Sequence, residues 1–155
     1  MTAETLVEVK LLGLDLEDHR RSSEHHEELL REFMLIAQSG DDHAGVPARL
    51  MALIDELRER YSQYGRVNEE VEAARRRGEQ SVDLVYALPA SMAGDVRRFL
   101  QLLEEADEYC RRGDLLTLAT PPAEAAFRRW YLEEVARQIE GEAPRPWPAV
   151  REAGG

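Results

Sequence analysis

Two stretches of this chain read as β-strand, TLVEVKLLGL and SVDLVYALP, and they lie about seventy-five residues apart. Both are rich in β-branched residues and leucine and are closed by Gly or Pro. A sheet of two strands is marginal in water. A chain with this pattern must therefore lay its strands on helices or extend them with another chain.

Helices are what the rest of the sequence predicts. After the first strand, Asp15 stands where it can cap a helix, with Asp18 at the third helical position, resembling a capping box. Leu30, Phe33 and Ala37 then recur on one helical face. After the second strand, Met92, Val96, Phe99, Leu103, Ala106 and Cys110 alternate steps of four and three, an apolar seam along one helix. Each of these helices is followed by a loop and by a helix opened with proline, at Pro47 and Pro121, where a missing N–H costs nothing. Val7 matches Val82 at an offset of 75, Leu29 and Leu30 match Leu102 and Leu103 at 73, and Pro47 matches Pro121 at 74. The expectation is an α+β, mainly helical fold of two short strands and four long helices, built from a duplicated strand–helix–helix unit. Residues 1–143 are read as a single domain, with repeats at 5–64 and 80–140. Residues 65–79 form a connector, a short exposed helix with Val67, Val71 and Ala74 on one side. The proline-rich tail, 144–155, is expected to be extended around Trp147 and partly disordered.

At 155 residues the chain is long enough for a core without metal or disulfide. Its net charge of −11, with 31 acidic against 20 basic residues, opposes binding to nucleic acid or to anionic lipid. The longest apolar run, FMLIA, is far short of a membrane span. The lone Cys110 suits a reducing compartment, and the N-terminus has no basic region leading into an apolar core, so a cytoplasmic location is expected.

The stretch DHRRSSEHHEELLREF holds three of the four histidines among carboxylates. His19 and His26 are seven apart, on the face that continues as Leu30 and Phe33. A zincin needs His at i and i+4, and a di-iron bundle needs Glu three residues before His. Neither spacing occurs, so His19 and His26 are expected at the edge of a helix interface, with a metal site between them as the competing reading. His43, beside Asp41 and Asp42, is a further candidate ligand. No phosphate-cradling glycine loop and no nucleophile elbow is present, and Cys110, on the apolar seam, has the position of a buried inert thiol.

The segment TPPAEAAFRRWYLEEVARQ spreads its aromatics around a helix. Trp, Tyr and Arg are enriched at protein contacts, which makes Arg128, Arg129, Trp130 and the tail residue Trp147 contact candidates. Packing of Trp130 inside its own chain is the alternative. The segments EHHEELLREF, VPARL, VDLVYALP, ADEYCRRGDLLTLATPP and FRRWYLEE together resemble small actinobacterial proteins of unassigned activity, companions of partner-switching regulators. The resemblance implies a regulatory setting and no catalytic residue. The sequence reading is a non-enzymatic, cofactor-free interaction protein that docks helix faces on a protein partner and forms a homodimer. Its alternative is a metal- or small-molecule-binding enzyme or sensor using His19, His26 and nearby carboxylates.

Overall fold

In the computed structural model, which describes residues 5–38, 45–64, 67–113 and 119–153, the two expected strands pair with each other. β1 (Leu6–Asp15) runs antiparallel to β2 (Ser81–Pro89), with Leu6 opposite Pro89 and Asp15 opposite Ser81. Between the pairs Leu11–Leu84 and Leu14–Val82, β1 spends one residue more than β2. This bulge is centred on Gly13, whose φ of 66° suits a residue without Cβ and whose N–H donates to Asp83 Oδ1 at 2.7 Å. The extra residue returns Leu14 to the face that already carries Val9 and Leu11. All three are buried with Leu84 and Leu88, while Glu8, Lys10 and Val85 face outward.

Four long helices accompany the sheet: α1 (Leu16–Gln38), α2 (Gly45–Tyr61), α4 (Met92–Arg112) and α5 (Pro122–Ile139). Two short ones, α3 (Val67–Arg76) and α6 (Trp147–Ala153), complete a mainly helical α+β fold. Asp15 caps α1 as its position requires, its Oδ1 accepting the Asp18 N–H at 2.9 Å. The expected seam of α4 is buried from Leu103 through Ala106 to Cys110, each at most 1% exposed. It meets Leu29 and Phe33 of α1 and Leu50, Leu53 and Ile54 of α2. Each of the leucine, isoleucine and phenylalanine side chains among them contributes roughly 1.5–3 kcal/mol on leaving water. The four long helices pack in a ring, α1 on α2, α2 on α4, α4 on α5 and α5 on α1. No described helix is long and apolar enough to cross a membrane.

Strand, helix, helix thus occurs twice in order, but the two halves do not hold the sheet alike. β1 lies along α5, and β2 has no comparable packing on α2. The link from β1 to α5 is specific. Gln138, 5% exposed, accepts the Lys10 N–H at 2.7 Å and donates to the Lys10 carbonyl at 2.8 Å, so a side-chain amide supplies what a third strand would. The strand edge offered at Lys10 for pairing with another chain is therefore taken by the chain's own helix. On the β2 side, α3 buries Val71 and Ala74 against the sheet and ends at Gly78, with φ 79°.

The tail corrects the sequence expectation. Residues 147–153 are helical, because Pro148 falls in the first turn, where proline is tolerated, and Ala149 to Ala153 carry no helix breaker. Glu134, fully buried, accepts the Arg145 N–H at 2.7 Å and its Nε at 2.9 Å, and pairs with Arg137 Nη1 at 2.7 Å. These bonds hold the turn that leads into α6. On the sheet side, a Cβ at Gly13 would stand 2.7 Å from Pro148 Cδ, so α6 sits directly on the bulge.

Candidate functional site

Seven residues are almost two helical turns, so His19 and His26 share one face of α1, with Ser22 and Ser23 between them. That face meets Phe99 and Leu103 of α4 and Phe127, Arg128 and Tyr131 of α5 around a cavity of about 170 Å³. Each imidazole stands edge-on to a ring: His19 to Phe127 with centroids 6.3 Å apart, and His26 to Phe99 at 6.1 Å. The interface position expected of both histidines is where they are found, and the structure brings them together with Arg128.

Burial governs the charge state of the site. It pulls the His26 pKa down to about 4, and the Arg128, Arg58 and His25 charges act in the same direction. Burial also lowers the His19 pKa, helped by Arg75 and opposed by Glu72. Both imidazoles are therefore neutral near pH 7. Arg128 carries its charge inward, but not alone. Its Nη2 donates to Asp107 Oδ2 at 2.9 Å and its Nη1 to Thr120 Oγ1 at 3.0 Å. Asp107, 4% exposed, also accepts the Thr120 N–H at 3.1 Å and its hydroxyl at 2.7 Å. The buried ion pair is thus closed on the carboxylate side and ties the start of α5 to α4. On the arginine side it is incomplete. Arg128 Nε is buried and has no hydrogen-bond partner among the described residues.

The remaining candidates lie elsewhere. Arg129 is exposed and pairs with Glu104 and, at 3.5 Å, with Glu133. Trp130 and Trp147 are 1% and 3% exposed, so the contact surface expected of them is instead an internal joint. Their rings lie 5.4 Å apart, Trp130 Nε1 donates to the Arg145 carbonyl at 2.7 Å, and Trp147 Nε1 donates to Asp18 Oδ2 at 2.9 Å. The reason is the folded tail, which covers that side of α5. The Asp18 carboxylate is accordingly drawn to Trp147 and to Arg151, at 3.3 Å, on the tail.

Among the described residues no three of the His, Cys, Asp and Glu side chains stand together as a cation site. His43, with Asp41 and Asp42, lies outside the described residues. Cys110 is fully buried, and burial, with Asp107 adding to it, pushes its thiol up to about 11. Sequence reasoning missed Asp107 and Thr120. The signal was present for Asp107, which is four residues after Leu103 and three before Cys110. A carboxylate on an apolar seam needs a buried partner, and Arg128 is that partner.

Fold and cavity together define the class: a mainly helical α+β protein with a small, largely apolar cavity between α1, α4 and α5. Comparison of the chain with protein-family models, curated proteins and solved structures found no match in any of the three.

Proposed function

We propose that the protein is a non-enzymatic regulatory protein that binds a small, largely apolar molecule in the α1–α4–α5 cavity. The observation that carries the reading is the cavity itself, with two neutral imidazoles set edge-on to aromatic rings beside the partly buried Arg128. Small-molecule sites are concave, mostly apolar and furnished with a few polar groups. Catalysis finds less support. Among the described residues no hydrogen bond joins His19 or His26 to Ser22, Ser23 or a carboxylate, and a base with a pKa near 4 is poorly matched to proton transfer at neutral pH. Docking through an aromatic helix face loses its anchors once Trp130 and Trp147 are covered by their own chain. A companion of a partner-switching system, the setting implied by the sequence resemblance, is the role in which a ligand-responsive protein of this kind would act.

Titration of the labelled protein with isopropylbenzene, followed by NMR, tests the proposal. The expected result is saturable shifts confined to residues around the cavity, abolished in His26→Trp, whose larger side chain fills it. No saturable shift in the wild-type protein would refute the proposal.

A further inference from the structure

We infer that the C-terminal helix α6 builds the ligand site from outside, with Trp147 as a positioning residue behind the cavity wall, so that docking of α6 and binding of a small apolar molecule strengthen each other. This coupling rests on the cavity being a ligand site and adds the element that responds to its occupation. Three features support it.

The first is Phe127, which stands between the cavity and the tail. Its ring, 2% exposed, meets four others. His19 at 6.3 Å and Tyr131 at 6.4 Å belong to the cavity lining, whereas Trp130 at 5.8 Å and Trp147 at 5.3 Å lie outside it. Because Phe127 borders open space, its ring is fixed by its remaining neighbours, and Trp147, set edge-on, is the nearest of these four. Without the indole a void opens behind the ring, and the wall has room to relax into it.

The second is the grip of the tail on the opposite wall. Asp18, in the first turn of α1 and next to His19, accepts Trp147 Nε1 at 2.9 Å and Arg151 Nη1 at 3.3 Å. The same tail holds α5, where Trp130 Nε1 donates to the Arg145 carbonyl at 2.7 Å. Helices α1 and α5 are two of the three that enclose the cavity. The tail thus ties two walls together while adding no side chain of its own to the lining.

The third is that α6 is separable. Its 7 residues make less than two turns, too few to stay helical without tertiary contacts. It is joined to α5 through Gly141, at φ 100°, and residues 142–146, which form neither helix nor strand. A terminal element of this kind opens at a lower free energy than the core. A molecule packed on Phe127 binds the docked form more tightly than the open one, and by linkage it favours docking by the same factor.

The test titrates the full chain with isopropylbenzene and follows the tail. Trp147→Ala is expected to bind the probe about tenfold more weakly than wild type, within the usual range of coupling between sites. Gly13→Ala, which crowds Pro148 and stands outside the cavity, should weaken binding in the same direction. Tyr61→Phe removes the hydroxyl that donates to Asp95 and loosens α2 from α4. That variant should bind within about twofold of wild type, which separates tail docking from general stability. In the wild-type protein the Trp147 indole N–H should exchange with solvent faster than the core amides of α4, and saturation with isopropylbenzene should slow it about tenfold. Should Trp147→Ala not fold, that exchange rate decides. Undiminished binding in Trp147→Ala or Gly13→Ala, an equal loss in Tyr61→Phe, or an indole that exchanges only with the core or at a rate unmoved by the probe would each overturn the inference while leaving the cavity a binding site. Absence of saturable binding to the wild type would overturn the proposed function itself.

Discussion

His26 makes the stability of this protein depend on pH in a calculable way. Its pKa in the fold is about 4, because the imidazole is largely withdrawn from water on the α1 face beside Phe99, with the charges of Arg128, Arg58 and His25 acting in the same direction. In the unfolded chain an unperturbed histidine titrates near 6.5. Between those values the unfolded chain holds a proton that the folded chain refuses, so protonation favours unfolding and stability rises with pH. The contribution is present in full above about pH 6.5 and is lost as pH falls toward 4. A gap of that size corresponds to about 3 kcal/mol, a large share of the 5–15 kcal/mol typical of a whole domain. Urea denaturation of wild type and His26→Leu, at a series of pH values from 4 to 7.5, isolates it. The carboxylates and His19 titrate in both proteins, so their effects largely cancel in the difference. The wild type should lose about 3 kcal/mol more than the variant on going from pH 7 to pH 4. Parallel curves for the two proteins, or an imidazole titration placing His26 above pH 6, would refute the argument that burial sets its charge.

Other substitutions test other joints of the fold. Gln138→Leu leaves the Lys10 N–H and carbonyl without their partner and should destabilise the protein by roughly 2–4 kcal/mol, with faster hydrogen exchange at Lys10; an unchanged exchange rate there would contradict the role of Gln138 as a substitute strand. Gly13→Ala puts a side chain at φ 66° and 2.7 Å from Pro148 Cδ, so a loss of about 1–3 kcal/mol is expected, together with a red shift of tryptophan emission as α6 lifts from the bulge. An unmoved spectrum would show that α6 does not depend on that contact. Cys110, with its thiol pushed up to about 11 and fully buried, should react with a thiol reagent at pH 7 only as fast as the chain opens. Stoichiometric labelling within seconds under native conditions would contradict its inert setting.

Much of the architecture was legible in the residues. Strands at TLVEVKLLGL and SVDLVYALP, the Asp15 cap, the seam from Leu103 to Cys110 and the helices opening near Pro47 and Pro121 all follow from local chemistry: side-chain periodicity, capping oxygen and the missing proline N–H. Placement of His19 and His26 on an interface was legible for the same reason, since seven residues return to one helical face. The α6 helix was obscured by prolines on either side of Trp147, although Pro148 sits where a first turn accepts it.

What the sequence by itself determined is therefore which elements form and which of their faces avoid water. Tertiary structure alone decided what covers each face. Period and composition cannot distinguish an aromatic stripe buried by its own tail from one left to a partner, and here α6 covers Trp130 with Trp147. Nor can they foretell that Gln138 would close the sheet at Lys10, or that Arg128 would spend two nitrogens on Asp107 and Thr120 and bury a third without a partner. The physical reason is the same in each case: these groups come together across 8 to 128 positions of chain, where pairing is set by how the packed elements meet and not by the spacing of residues along any one of them.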